Sequence, residues 1–358
     1  MKLLGALTAA FVLGGAAHAQ ARPAHGTPVR VTKIDYKGWH GCWKISNGVV
    51  EAIVVPQIGR IMAFQFAGKP DTNALFNNAG LLGKTGEEQK PGEWANFGGD
   101  KVWPSPQSSW EKYIGGPWPP DVAFDGRPQK TERLAGGVRM FSGRSDAFGI
   151  QVTRTITLRP GDSRLSIAQE MHRFKSPTPA TAVRVTGATN ADALGIWNIT
   201  QVRSDSVVFL PMTSHSRFAS GFTMFDGKSL PIFKLLTPPT WWARHGSALV
   251  GRRDPVESHK VGSDAPAGWI AALYGDVVFA EHYRNQRGAT YPDGGCRAEV
   301  WSNPGETAYL ELEVLGPTRA IPLHGAQNYN VTWELARVPK KRVVDDAAAE
   351  RYLGRMLR

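Results

Sequence analysis

The run Tyr309-Leu310-Glu311-Leu312-Glu313-Val314-Leu315 alternates apolar and acidic residues through its middle. Successive strand side chains point to opposite faces, so Glu311 and Glu313 share one face while Leu310, Leu312 and Val314 share the other. Two neighbouring carboxylates repel, and partial burial raises the pKa of at least one, which suits general acid or base chemistry. The plainer reading is a solvated strand face, which explains most such pairs. Glu299, two residues before Trp301 on another strand-like run, is a third acidic candidate.

Aromatic residues supply the second signal. The chain holds 12 Trp and 8 Tyr; their flat faces can stack on the C–H surfaces of sugar rings while their polar tips hydrogen-bond. Many must be core. The segment Trp103-Pro104-Ser105-Pro106-Gln107 is less easily assigned to a core, because proline stiffens the backbone on both sides and Asp100, Lys101 and Gln107 place donors and acceptors beside the ring. It lies within residues 84–128, where Trp94, Trp103, Trp110 and Trp118 mix with eight Gly and Pro positions read as strand breakers. Such a stretch predicts a long ordered loop with a functional role rather than central strands.

Other chemistries find no support. The sequence has no Gly-x-Ser-x-Gly elbow, Walker loop, His-Glu-x-x-His, EF-hand loop or dinucleotide glycine fingerprint, so no cofactor and no metal is expected. Asn198-Ile199-Thr200 and Asn330-Val331-Thr332 match the glycosylation pattern, but both fall in strand-like runs.

The elements that must position these groups are short strands. Val49–Val55 and Arg60–Phe66 flank Gly59 as a hairpin-like pair, and Ile150–Leu158 alternates most cleanly. Further strands are expected at 164–170, 182–189, 206–210, 269–274, 277–283, 297–302, 308–315 and 328–337. A short amphipathic helix is expected over 343–357. With 39 Gly and 25 Pro in 358 residues, long helical bundles are excluded; 42% hydrophobic and 20% charged residues exclude a disordered chain. The expectation is one large all-β domain over residues 20–338, a sandwich or closed barrel, with a helical tail over 339–358.

Residues 1–19 read as an export signal: Lys2, the apolar run Leu3–Ala17, and Ala17-His18-Ala19 as the cleavage site. The apolar run is too short for a membrane anchor. A periplasmic or secreted protein follows. The net charge of +11 is scattered, apart from Lys340-Lys341-Arg342, so nucleic acid is not an expected partner. Cys42 and Cys296 leave two alternatives open, a bridge closing a very long loop or two buried thiols.

Taken together, Gly98-Gly99-Asp100 before Trp103-Pro104, Tyr291-Pro292-Asp293-Gly294-Gly295-Cys296, Glu299, Tyr309–Pro317 and Trp333-Glu334-Leu335 resemble a bacterial branch, of unknown function, of the galactose-mutarotase-like superfamily. The resemblance spans roughly residues 35–337. It implies a large antiparallel β-supersandwich with sugar bound on a concave sheet face. Pro56-Gln57-Ile58-Gly59-Arg60-Ile61 is similar to the early strand-turn-strand of the superfamily, which implies that Arg60 reaches the sugar. Leu312-Glu313-Val314-Leu315-Gly316-Pro317 is similar to the strand bearing the general base, which singles out Glu313. The proline stands one residue nearer, and the superfamily's Asn-His acid motif is missing. His282 is the substitute acid on chemical grounds, because imidazole titrates near neutrality; a structural histidine is the competing reading.

The expected binding set is Arg60, Asp100, Trp103, Gln107, Trp197, Lys260, Tyr291, Asp293 and Glu311, with Arg60 and Lys260 able to pair with a uronate carboxylate. The catalytic set is Glu313, His282 and Glu299. The expected partner is a sugar or oligosaccharide, neutral or acidic, and the expected chemistry is mutarotation or epimerisation by acid/base ring opening. The alternatives are a non-catalytic sugar-binding module, a polysaccharide lyase or glycosidase, and a structural envelope protein.

Overall fold

The computed structural model describes residues 26–88, 93–178, 193–226 and 230–358. The signal segment 1–19 and the strand expected at 182–189 lie outside them. In chain order the first strands are β1 (Arg30–Tyr36), β2 (Trp39–Ser46), β3 (Val50–Val55), β4 (Arg60–Phe66), β5 (Asp100–Ser105), β6 (Lys130–Leu134) and β7 (Gly137–Phe141). Next come β8 (Ile150–Leu158), β9 (Arg164–Arg173), β10 (Ala193–Arg203), β11 (Val207–Pro211), β12 (Thr223–Met224), β13 (Trp242–His245) and β14 (Ala248–Gly251). The last are β15 (His259–Ser263), β16 (Trp269–Tyr274), β17 (Val277–Tyr283), β18 (Ala298–Asn303), β19 (Tyr309–Leu315), β20 (Arg319–Ala320) and β21 (Ala326–Arg337). Among the described residues two α-helices accompany them, α1 (Trp110–Ile114) and α2 (Asp346–Met356).

Among the described residues these strands form three antiparallel sheets. One has the order β1-β2-β3-β4; a seven-stranded sheet runs β12-β15-β18-β19-β10-β20 with β5 also on β10; a ten-stranded sheet runs β13-β14-β11-β16-β17-β21-β9-β8-β7-β6. The fold is a large antiparallel β-sandwich. Period-two patterning explains its layers. On β8, Ile150, Val152, Arg154, Ile156 and Leu158 are buried and the residues between them half-buried. The inner faces of the two large sheets meet in one apolar cluster: Val300, Leu310, Leu312 and Val314 from one, Val277, Phe279, Val331, Trp333 and Leu335 from the other. At about 25 cal/mol per Å², each fully buried aliphatic side chain contributes roughly 1.5–3 kcal/mol.

The outer face of the ten-stranded sheet is partly covered by α2, whose Ala349 and Leu353 pack on Phe209, Val250, Val278 and Ala280. Asp345 caps this helix by accepting from the Ala348 amide at 2.8 Å. The helix begins three residues later than expected because Asp345, in an extended conformation, is its N-cap.

The Trp-rich segment corrects one expectation. Residues 84–128 were expected to be loop, yet Asp100–Ser105 form β5, paired with Gly195–Thr200 of β10. Pro104 is tolerated because β5 bonds to a single neighbour, and an edge strand can leave one N–H position empty. Gly98 and Gly99 set its entry: both have positive φ, 92° and 69°, and a Cβ on Gly99 would lie 2.4 Å from the Ile61 carbonyl oxygen. The two cysteines are buried free thiols, Cys42 in a cluster around Trp39 and Phe97 and Cys296 in the main cluster, so the bridge alternative falls. No helix among the described residues is long and apolar enough to cross a membrane.

Candidate functional site: an indole-walled acidic cleft

The seven-stranded sheet turns Lys101, Trp103, Trp197, Gln201, Glu311 and Glu313 outward. Cross-strand register puts them on one face: Trp103 stands opposite Trp197, Ile199 opposite Glu313, and Gln201 opposite Glu311. On the next strands Trp301 pairs with Glu311, and Lys260 with Trp301. Their neighbours in sequence, Val102, Asn198, Val300 and Leu312, point into the sandwich.

Over this face lies a cleft of about 610 Å³, lined by Trp94, Trp103, Gln107, Trp118, Trp197, Phe225, Asp226, Ser258, Lys260, Trp301, Asn303, Tyr309, Glu311 and Glu313. Its wall is a set of edge-to-face indoles. Trp103 stands 5.6 Å from Trp197, 5.8 Å from Trp118 and 5.5 Å from Trp110, with interplanar angles of 72–82°. Trp94 stands 5.0 Å from Trp118. This geometry is the favoured one for aromatic pairs and fixes the rings before any ligand arrives. Trp118 is 46% exposed and supplies the open edge.

Two cation–carboxylate groups form the floor. Lys101, only 1% exposed, places its Nζ 2.6 Å from Glu311 Oε1, which also accepts from Gln201 Nε2 at 2.8 Å. Lys260 Nζ lies 2.7 Å from Glu299 Oε2 and 3.1 Å from Glu313 Oε2. The Trp197 indole N–H donates to Glu313 Oε2 at 2.9 Å. Both contacts fall on one oxygen of Glu313, Oε2. Lys260 also rests on the Trp197 ring, 4.4 Å from its centroid.

Electrostatics follow from burial. Burial pushes the Glu313 carboxyl up, and the Glu311 charge adds to this while Lys260 and Lys101 oppose it. Glu299 is held well above the usual range, first by burial and then by Asp293 and Glu313. Asp293 is raised by burial against the pull of Lys260. Burial alone would lower Lys260, but the carboxylates of Glu299, Glu313 and Asp293 outweigh it and hold the ammonium above the ordinary lysine value. Three carboxyls around one ammonium cannot all ionise cheaply, so all three are raised above their ordinary values.

Of the sequence-expected residues, Trp103, Gln107, Trp197, Lys260, Glu311 and Glu313 line this cleft. Glu299 and Asp293 are not part of the lining; Glu299 is ion-paired with Lys260, and both charges act on it. Four candidates sit elsewhere. Arg60 is fully buried, bound to Asp125 Oδ1 at 2.5 Å and to the Gly98 carbonyl at 2.7 Å. Its reach to the cleft is indirect: Asp125 Oδ2 accepts from the Trp94 indole N–H at 2.9 Å. Asp100 faces the sandwich interior, where it pairs with Arg154 and accepts from the Ile61 amide at 2.7 Å. Tyr291 lines a different cavity, beside Arg297. His282 lies on β17 of the ten-stranded sheet, 2.9 Å from Glu334, and no histidine lines the cleft.

Sequence reading missed Trp94, Trp118, Trp301, Asn303 and Tyr309 as individual site residues, together with Phe225, Asp226 and Ser258. Tyr309 and Trp301 were recoverable, since each lies two residues from an acidic candidate on the same strand and so shares its face. Phe225, Asp226 and Ser258 carried no signal.

No family model matches the chain, and no curated protein matches it; the link to the bacterial branch therefore rests on its motifs alone. Solved structures do superpose on most of it. A galactose mutarotase-like protein from Clostridium acetobutylicum aligns with a TM-score of 0.56 at 9% identity, covering 87% of this chain and 99% of that one. A putative aldose 1-epimerase from Klebsiella pneumoniae gives 0.55 at 10%, covering 92% and 86%. A galactose mutarotase-like protein from Lactobacillus casei gives 0.53 at 12%, covering 83% and 100%. Identities this low speak for architecture only: the chain has the galactose-mutarotase-like fold.

Proposed function

We propose that the chain is an exported saccharide-binding protein, with Glu313 as the base of a slow anomer interconversion. One observation carries the reading: Trp103 and Glu313, 210 positions apart, line the same cleft. Indole faces suit the C–H surface of a pyranose, and the carboxyls, lysines and Asn303 suit its hydroxyls. Lys101 and Lys260 are each already paired with a carboxylate, so the cleft favours a neutral sugar over a uronate. Solved neighbours described as galactose mutarotase-like or as putative aldose 1-epimerases agree with this class of ligand. Export rests on the leader-like residues 1–19.

In the reaction the Glu313 carboxylate takes the proton of the anomeric hydroxyl while the ring oxygen takes one from a solvent water, and reclosure reverses both transfers. The bond between the anomeric carbon and the ring oxygen breaks, and reclosure of the aldehyde delivers either anomer. Lys260, not His282, is the cation beside the base. Its raised pKa keeps it charged, so it stabilises the developing oxyanion electrostatically, but makes it a poor proton donor, which limits the rate.

The same feature favours a second reading, non-catalytic binding, because Glu313 is held by Lys260 and Trp197 before any ligand binds. Magnetisation exchange between the anomeric protons of neutral aldoses separates the two. Faster exchange with wild type than with Glu313→Gln supports catalysis; binding with equal exchange for both assigns a binding module.

A further inference from the structure

A second cavity, of about 370 Å³, shares no lining residue with the cleft. Its charged lining is His215, Arg217, Asp264 and Arg297, with Thr213, Thr290 and Tyr291 beside them. Two guanidinium groups meet one carboxylate there, and that carboxylate is already engaged. Asp264 Oδ1 accepts from the Ser216 hydroxyl at 2.6 Å and Oδ2 from the Arg217 amide at 2.7 Å. Among the described residues neither guanidinium forms an ion pair with any carboxylate.

Arg297 is nevertheless held in place. It lies over the Tyr291 ring, 4.9 Å from the centroid, and its Nη1 donates to the Asp264 carbonyl. Its Nε is buried and has no hydrogen-bond partner, and a buried unmatched donor is costly unless something fills the place. Arg217 crosses Gly295, where a Cβ would lie 3.4 Å from Nη1. Gly295 has φ of +111°, so the backbone at this wall adopts a conformation that keeps side chains out.

We propose that this cavity is an oxyanion site, in which the Arg217 and Arg297 guanidiniums grip a carboxylate, sulfate or phosphate group, with the Thr290 and Thr213 hydroxyls and His215 at its rim. Guanidinium matches such groups through paired N–H donors. The proposal does not rest on the reading of the cleft. The oxyanion comes from one of two sources, a free ion or a substituent on a saccharide. The second is stereochemically open because the same two strands serve both places. Lys260 and Asp264 are four residues apart along β15 and its end, as are Arg297, just before β18, and Trp301 within it, a span of roughly 13 Å.

The test is calorimetric titration of the full chain with sulfate, phosphate and glucuronate at constant ionic strength, chloride serving as control. Saturable binding of at least one oxyanion is expected, weakened about tenfold or more in Arg217→Ala and in Arg297→Gln and unchanged in Arg351→Ala, an exposed arginine on α2 outside both cavities. Arg217 is exposed, so its variant tests the site even where Arg297→Gln disturbs folding. A wild type that responds to the three anions as it does to chloride overturns the proposal, as does undiminished binding by Arg217→Ala. A uronate oligosaccharide that binds more tightly than sulfate, through the same arginines, assigns the saccharide source; one that binds no better assigns the free ion.

Discussion

Glu313 and Glu334 are both strand glutamates on outward faces, each with a nitrogen partner about 3 Å away, yet their carboxyls move in opposite directions. Glu334 on β21 accepts from His282 and from Arg164 Nε at 3.1 Å, and these bonds hold it below the ordinary value against partial burial. Glu313 on β19 is raised, because burial beneath the indole wall outweighs the help of Lys260. The difference lies in the second layer. Over β19 the segment carrying Trp94, Trp103 and Trp118 excludes water, whereas at Glu334 the sheet face stays half open. A carboxylate with cationic partners becomes a candidate base only where the fold also removes its solvent.

The largest effect should fall on one side of this pair. Glu313→Gln should abolish the accelerated anomer exchange, a loss on the order of 10²–10⁴ in rate, while Glu334→Gln should leave it unchanged; equal losses would break the contrast. The raised carboxyl also fixes a pH direction: the base must be ionised, so exchange should rise with pH through a midpoint above that of an ordinary glutamate.

Arg60 sharpens the same contrast between touching a ligand and shaping its wall. Arg60→Leu leaves Asp125 buried without its cation and should destabilise the fold by roughly 3–5 kcal/mol in denaturant unfolding. Adding Asp125→Asn should recover part of that, which a direct role of Arg60 at the sugar does not predict.

Glu281 on β17 extends the series to the sandwich interior. Burial, aided by the Asp100 charge, pushes it up to about 8. The native state therefore binds more protons than the unfolded one between pH 4.5 and about 8, and stability from this group falls as pH rises across that window. Glu281→Gln should remove the slope, worth about 5 kcal/mol over that window; an unchanged slope would show that the carboxyl titrates normally.

The acidic half of the site was legible in sequence because alternation alone places Glu311 and Glu313 on one face. Its company was not, since register joins residue 103 to 197 and 197 to 315 across more than 200 positions. Two errors have local causes. Asp100 and Lys101 were grouped as neighbours, but once 100–105 is a strand they must point to opposite faces, and the prolines had hidden that strand. Arg60 and His282 looked free because their partners, Asp125 and Glu334, lie 65 and 52 residues away.

The most direct test of a saccharide cleft over the seven-stranded sheet is saturation-transfer difference NMR with a panel of neutral mono- and oligosaccharides, comparing wild type with Trp118→Ala. Trp118 is half exposed, so its removal should spare stability and weaken binding by about fivefold, a loss of ~1 kcal/mol. The account predicts transfer to ring C–H protons of at least one sugar and a clear reduction in the variant. No transfer from any sugar, or the same transfer in both proteins, would contradict it.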